Sequence, residues 1–349
     1  MANTGRGLMA TQTFMAKSSL ISLPEKCLLT SSTVLKSYLG HFIKRWHPPI
    51  SPLLALCCFL ICERYRGAAS EWSPYINILP KTYTCPVYFS DDIIDLLPLS
   101  LQKKAKEQKE GFQELFYSFF TFFHSLQPLF SQPTEELFTK DAFRWAWCSV
   151  NTRTVYMEHE QSKYLSMEKD IYALAPYLDL LNHCPNVQVK ASFNKQTQCY
   201  EVQSLQGCKK FQQALINYGP HDNHRLLLEY GFVAPGNPHS VVYVDPGEMV
   251  ALPNYTNLTQ RRTDHYFTSW KSVLLGAAVS QDGEYWCITL ALKLCKTISG
   301  ANVKALERLS ELKESADLFL LEQLGVVESL RKEERSILGH AQVILEKLL

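Results

Sequence analysis

Two stretches concentrate the side chains able to do chemistry. The first, Leu174 to Asn186, reads L-A-P-Y-L-D-L-L-N-H-C-P-N. It sets Asp179, Asn182 and His183 at the edge of an apolar run in which Tyr177, Leu178, Leu180 and Leu181 form an inward-facing set. The second, Tyr218 to Phe232, reads Y-G-P-H-D-N-H-R-L-L-L-E-Y-G-F and places Tyr218 and Tyr230 at the two borders of one short helix. A plain reading is also open, in which Asn182, His183 and Pro185 simply halt regular structure. A cysteine hydrolase using Cys184 or Cys148 with His183 is a further option. Against it, Cys184 is adjacent to the histidine, Cys148 has apolar flanks and no oxyanion loop is visible.

These residues need elements to hold them. Tyr218-Gly219-Pro220 is a turn signal, Asp222 or Asn223 can cap the helix that follows, and Gly231 suits the left-handed position after it. Near the start, Gly5-Arg6-Gly7-Leu8 precedes a strand at Leu20 to Leu23 that Pro24 ends. A lone G-x-G is either a tight turn or a loop whose bare backbone lies close to a ligand. From Val34 to Trp46 the apolar spacing predicts one helix stopped by Pro48-Pro49, and a second runs from Pro52 to about Arg66. A third begins near Leu101 with a charged face and continues through Phe112, Phe116, Phe119, Phe120 and Phe123, an aromatic stripe suited to a core.

A helix from roughly Glu135 to Val150 leads into Asn151-Thr152-Arg153. Arg153, just past that helix, is either a surface cation at its C-terminus or a bidentate clamp for a carboxylate. Val187 to Phe193 and Cys199 to Gln203 predict a hairpin turning at Asn194-Lys195, and Leu215 to Tyr218 a short strand. From Ala301 to Leu349 two or three amphipathic helices are expected, packed on one another or offering a groove to a partner peptide.

The chain has 349 residues, 46% hydrophobic and 20% charged, enough to bury a sizeable core. Its net charge of +1 argues against a broad phosphate-binding surface, and no direct sequence-specific nucleic-acid binding is expected. The eleven cysteines show no C-x-x-C pair and suit reduced thiols of a cytoplasmic and nuclear protein. The run Leu53 to Ile61 is too short to span a bilayer and reads as a core helix, so no membrane partner is expected. The first residues lack the order of a secretory signal, and the sequons at Asn254 and Asn257 are therefore discounted. Neither Lys209-Lys210 nor Arg261-Arg262 makes a convincing import signal.

Taken in order, Gly5-Arg6-Gly7-Leu8, Asn151-Thr152-Arg153, Asp179-Leu180-Leu181-Asn182-His183, Tyr218-Gly219 and Glu229-Tyr230-Gly231-Phe232 resemble the SET-domain methyltransferases, on the branch of the Rubisco large-subunit lysine methyltransferase. The resemblance spans about Gly5 to Tyr243. It implies an α+β fold: a β-rich SET core with a pseudoknot-like crossing, a helical insertion and a helical C-terminal domain. The divisions would fall at 1–33 and 141–235 for the core, 34–140 for the insertion and 236–349 for a shortened substrate-binding-like domain. It further implies S-adenosylmethionine as cofactor, with Arg6, Gly7 and Leu8 against its adenosine and methionine parts and Arg153 on its carboxylate. Asp179, Asn182, His183 and Tyr230 would complete that site. Tyr230 would be the active-site tyrosine and Tyr218 would line the lysine channel, with no metal. The partner would be a protein bearing a target lysine, histone or otherwise.

Three departures shape further expectations. Only four residues precede Gly5, which suggests a truncated or alternatively spliced form. The segment Gln206 to Gln213 has no turn glycine beside the strand leading to Tyr218, so a distorted turn is expected there. The absence of a cysteine-rich zinc motif agrees with the Rubisco-type branch. A catalytically weak binding or scaffold protein, and a histidine methyltransferase, are the alternative functions.

Overall fold

The structure, a computed structural model, describes residues 5–244 and 281–349, side chains of 281–287 excepted. The sequons at Asn254 and Asn257 and the Arg261-Arg262 pair lie outside the described residues. The described chain forms two compact units, one from residues 5–87, 108–221 and 228–231, the other from 88–107, 222–227, 232–244 and 281–349.

Eight strands build the sheets of the first unit: β1 Leu8–Met9, β2 Ser19–Pro24, β3 Thr154–Tyr156, β4 Tyr172–Leu174, β5 Asn182–His183, β6 Val189–Asn194, β7 Cys199–Ser204 and β8 Gln213–Ile216. They make three small sheets, ordered β1-β8-β5, β2-β7-β6 and β3-β4. In the first sheet β8 is central, antiparallel to β1 (Leu8 opposite Ala214) and parallel to β5 (Asn182 opposite Leu215, His183 opposite Ile216). This corrects the expectation that Asn182 and His183 only interrupt regular structure. Both are strand residues, and β8 fixes their register against the Gly5 to Leu8 loop.

β6 and β7 form the expected hairpin, with Phe193 opposite Tyr200, but Asn194 still pairs with Cys199, so the turn falls at 195–198 rather than at Asn194-Lys195. Ile21, Leu28, Leu178, Leu181, Tyr200, Val202 and Ala214 form the buried cluster beneath these sheets. Tyr177 does not join that set. It is 58% exposed with φ of +71°, because the chain must turn there before the 3-10 turn Leu178–Leu180.

Helices supply the rest: α1 Ser31–Lys36, α2 Gly40–Ile43, α3 Pro52–Arg66, α4 Ser73–Ile76, α5 Asp91–Ile94, α6 Leu99–Ser118, α7 Phe120–Ser125, α8 Thr134–Leu137, α9 Lys140–Arg153, α10 Asn223–Tyr230, α11 Gln281–Lys313 and α12 Leu318–Leu348. The expected helix from Val34 to Trp46 is divided into α1 and α2. Ser37 turns extended at the end of α1, and an added Cβ at Gly40 would strike the Leu35 backbone. The aromatic stripe is likewise broken at Phe119, which shifts its register. Phe112, Phe116, Phe122 and Phe123 are buried while Phe120 is exposed. The expected helix at Glu135 to Val150 is α8 and α9, and Arg153 is the last residue of α9 rather than a residue beyond it.

α3 is the central helix of the first unit. Ser51 caps it through the Leu54 amide, Pro52 occupies its first turn, and Leu54 through Cys62 are all buried. Nine consecutive buried residues mean that it is enclosed on every side, as the apolar run Leu53 to Ile61 required. No helix among the described residues is long and apolar enough to cross a membrane.

In the second unit α11 and α12 form an antiparallel hairpin, tied by Lys313 to Glu328 at 2.7 Å and Lys296 to Glu346 at 3.3 Å. Asp317 caps α12 through the Leu320 amide, and Leu309, Leu324, Val327 and Leu330 fill the seam. These helices pack on one another, the simpler of the two expectations. A buried polar cluster lies within this unit, where Glu334 meets His224 at 3.0 Å and the Arg331 guanidinium at 3.5 Å.

Candidate active site

The site assembles around the β1-β8-β5 sheet. Gly5 has φ of +63°, a conformation glycine adopts without strain, and so turns the chain into β1. Gly7 is required for a different reason: a Cβ there would overlap Gln213 Oε1 and come within 2.7 Å of Asn182 Nδ2. That space is occupied by a hydrogen-bond knot. The Asn182 amide donates to the Arg6 carbonyl at 3.0 Å and to Gln213 Oε1 at 2.7 Å. Asn182 therefore ties the G-x-G loop to β5 and β8, 176 residues apart in sequence from Arg6.

A second, neutral row continues from His183. Its Nδ1 accepts the Tyr218 backbone N–H at 3.1 Å, which places the proton of the neutral ring on Nε2. The Tyr218 hydroxyl donates to the Leu181 carbonyl at 2.7 Å. Ring centroids of His183 and Tyr218 lie 5.1 Å apart, and those of Tyr218 and Tyr230 also 5.1 Å. His221 stacks on the outer side of Tyr230 at 6.0 Å, its Nε2–H bonded to the Tyr218 carbonyl at 3.1 Å. Burial, opposed by the Arg153 charge and reinforced by Tyr230 and Asp179, pushes the Tyr218 phenol well above its ordinary range. It stays a neutral donor at any physiological pH.

The helix bearing Tyr230 is set as its sequence requires. Asp222 Oδ1 accepts the Arg225 amide at 2.8 Å as the N-cap, and Gly231 adopts φ of +76° at the end. Gly231 is also wedged. A Cβ would stand 3.0 Å from both the Cys85 amide nitrogen and Sγ, and Thr84 donates to the Gly231 carbonyl at 2.5 Å. The residue after Tyr230 is thus clamped, which fixes the direction of the tyrosine.

Charge is handled separately. Arg153 Nη1 meets Asp179 Oδ2 at 2.8 Å and the Asp179 carbonyl at 3.3 Å, and Tyr75 donates to the same carboxylate oxygen at 3.0 Å. The Asp179 side chain is 1% exposed and that of Arg153 is 18% exposed. Burial pushes the Asp179 carboxyl upward while Arg153 pulls the other way. Burial also works against the Arg153 charge, yet Asp179, Tyr83 and Tyr75 more than offset it and keep the guanidinium protonated. Asp179 therefore faces Arg153 and Tyr75, and its bearing on any ligand passes through Arg153. Arg153 Nε remains buried with no hydrogen-bond partner, a donor left over for a carboxylate.

The cofactor-site and catalytic candidates all lie in this first unit. Arg6, Gly7, Leu8, Asn182 and His183 converge on one sheet, and Tyr218 and Tyr230 stand in one aromatic row with His183. Arg153 and Asp179 form their own pair. Sequence reasoning missed Gln213, Tyr75 and Asn217. Asn217 Oδ1 accepts the Gly219 amide at 2.9 Å and its Nδ2 donates to the Pro185 carbonyl at 3.0 Å, so it shapes the turn between Tyr218 and His221. An Asn two residues before a turn glycine was a legible signal for that Asx turn. Gln213 and Tyr75 meet partners 31 and 104 residues away and carried no local signal.

The SET domain family model matches residues 5–219. The chain belongs to the SET-domain family. A mouse relative, SET domain-containing protein 4, is 45% identical over 380 residues, covering 99% of this chain and 86% of the relative. The zebrafish actin-histidine N-methyltransferase is 28% identical over 249 residues, covering 70% of this chain and 40% of that protein. Among solved structures, the SET domain of LSMT bound to lysine and AdoHcy superposes with a TM-score of 0.61 at 20% identity, covering 98% of this chain and 84% of that one. The α+β SET fold with a helical C-terminal region follows from this match. The G-x-G loop and the Asn-His strand, which meet despite their separation in sequence, both lie within the matched residues.

Proposed function

We propose that this chain is a protein-lysine methyltransferase that uses S-adenosylmethionine. The observation that carries the reading is the continuous path from Gly7 and Asn182 through His183 and Tyr218 to Tyr230, which joins a close-backbone loop to a row of neutral phenol and imidazole rings. LSMT structures with lysine and AdoHcy, or with AdoMet, on the same fold support the choice of donor and acceptor.

The residues present suit the cofactor. Gly7 lets Asn182 and Gln213 pack directly against the loop backbone and so fixes the Arg6–Leu8 backbone groups that would face the cofactor, and the unused Nε donor of Arg153 suits a carboxylate. Arg6, Gly7 and Leu8, with Asn182 and His183, would hold the remaining parts by backbone groups and amide. When bound, S-adenosylmethionine supplies an electrophilic methyl group on a sulfonium.

The chain's own task is then alignment and exclusion of charge. An in-line displacement gains most of its rate from holding the reacting atoms in near-attack geometry. A free lysine amine with pKa about 10.4 is neutral only about one time in 2,500 at pH 7, so the acceptor must shed its proton before it can attack. Tyr218 and Tyr230 would wall the acceptor's channel with neutral phenols, and low polarity there would favour the neutral amine. The Tyr218 hydroxyl donates its proton to the Leu181 carbonyl, so toward an amine it can act only through its oxygen lone pairs. Those lone pairs can orient the amine N–H groups without accepting a proton outright.

Incubation with labelled S-adenosylmethionine and a protein extract, followed by mass spectrometry, tests this. Label on lysine that is lost in Asn182→Ala and Tyr230→Phe is expected; transfer untouched in both means that the assigned site is wrong. A second reading, transfer to histidine, is favoured by the actin-histidine methyltransferase relatives. The same spectra separate the two by the modified residue.

A further inference from the structure

An irregular arm that runs on from β1 and β8 combines three features. Residues 8–18 run antiparallel to 204–214 as an irregular arm, held by Ala10 N to Gln212 O at 2.9 Å, Phe14 N to Cys208 O at 2.7 Å and Lys17 N to Ser204 O at 2.7 Å. Neither half of this arm contains a carboxylate: there is no Asp or Glu from Gly5 to Pro24 or from Val202 to His221. Lys17, Lys209 and Lys210 are all exposed on it. Three large apolar side chains stand out beside them, Met15 at 74%, Phe211 at 67% and Met9 at 52% exposure.

The backbone adds an independent observation. Four non-glycine residues among those described have positive φ, and two of them, Lys17 at +65° and Phe211 at +67°, lie on this arm. Glycine would adopt either conformation without strain, yet these positions carry a cation and an aromatic ring. Lys210 Nζ stands 4.7 Å from the Phe211 ring centroid, so the charge and the ring are presented as one unit. Gly207 holds the two halves together. With φ of +82°, it leaves a place where a Cβ would come within 2.6 Å of the Phe14 carbonyl.

We propose that this arm is a docking surface for an extended, acidic and apolar segment of a protein partner. Charge complementarity selects the sign of the partner: three exposed lysines on two stretches without Asp or Glu attract acidic chains and repel basic ones. The apolar tips select its other half, because Phe211 and Met15 gain by desolvation against side chains rather than against a polar backbone. The arm is a pair of antiparallel extended stretches, which fits an extended segment laid along it. The lysines are only three, two of them adjacent, and Phe211 is the one large exposed aromatic ring on the arm. A nucleic-acid strand or an anionic bilayer would call for denser charge and for more stacking or inserting groups.

The test uses the full chain without cofactor, so that its outcome is independent of the methyl-transfer reading. A fluorescein-labelled peptide of four Glu-Leu repeats is titrated by anisotropy at low salt. Its Lys-Leu counterpart, a single-stranded oligonucleotide and phosphatidylserine vesicles are titrated beside it. The Glu-Leu peptide is expected to bind most tightly and to weaken as salt rises. The double variant Lys209→Glu, Lys210→Glu should weaken it by roughly tenfold or more. Phe211→Gly relieves the backbone while removing the ring, so it folds at least as well and should still bind several-fold more weakly. Absence of binding, equal affinity in both variants, or tighter binding to the oligonucleotide or vesicles overturns the proposal.

Discussion

Two neighbouring clusters of the first unit handle polarity in opposite ways. Around Arg153, charges are buried, paired and bonded: guanidinium to carboxylate at 2.8 Å, phenol to carboxylate at 3.0 Å. Along His183, Tyr218 and Tyr230, every group is uncharged and spaced as a row of rings about 5 Å apart. On the proposed reading, the difference separates a paired-charge anchor, whose Arg153 would also meet the cofactor's carboxylate, from a neutral wall for the acceptor. A buried ion pair is costly to disturb and so holds backbone in place, whereas a neutral wall admits an amine without stabilising its protonated form.

Breaking the charged half should have the largest effect. Asp179→Ala strands a buried guanidinium and is expected to cost about 3–5 kcal/mol of stability, measured by urea unfolding. Breaking the neutral half should spare stability and remove activity. Tyr230→Phe is expected to lower methyl transfer by about a hundredfold, with an unfolding midpoint close to the parent. Gly7→Ala pushes a Cβ into Asn182 and Gln213, and calorimetry should show S-adenosylmethionine affinity reduced by about tenfold.

Acidity sharpens the contrast further. Burial raises the Tyr218 phenol, so no phenolate forms as the solution turns alkaline. The rate should therefore climb by about tenfold per unit between roughly pH 7 and 9, following the deprotonating lysine amine. With an imidazole acceptor, whose ordinary pKa is about 6.5, the profile would already be flat over that range. The smallest effect is expected from Tyr75→Phe, which removes one of the bonds to Asp179. A loss of about 1 kcal/mol in thermal unfolding, with activity retained, would mark it as part of the frame.

Much of this was legible in the chain. The cap at Asp222, the stop at Gly231, the helix Pro52–Arg66 and the β6-β7 hairpin all follow local rules of spacing and turn chemistry, and the structure has them where the residues put them, the position of the hairpin's turn apart. The G-x-G loop was ambiguous alone, because its reason lies in the Asn182 and Gln213 side chains that fill the space beside Gly7. Local pattern misled where tertiary demands won. Asn182 and His183 look like a break and are a strand, since parallel pairing with β8 needs only two residues. Tyr177 belongs to an apolar run and faces solvent, since the turn at that point requires a positive φ. The missing turn glycine before β8 has a physical counterpart in Phe211, which takes φ of +67° in its stead. Contacts such as Tyr75 to Asp179 join residues 104 positions apart and leave no periodic trace.

The most direct measurement is mass spectrometry of protein labelled by this chain and S-adenosylmethionine, compared between the parent and Tyr230→Phe. A methyl group on the Nζ of lysine, lost when the residue 230 hydroxyl is removed, is the expected result. A methylated imidazole, or lysine labelling that persists undiminished in the variant, would contradict the central claim that a neutral tyrosine row receives a deprotonated amine.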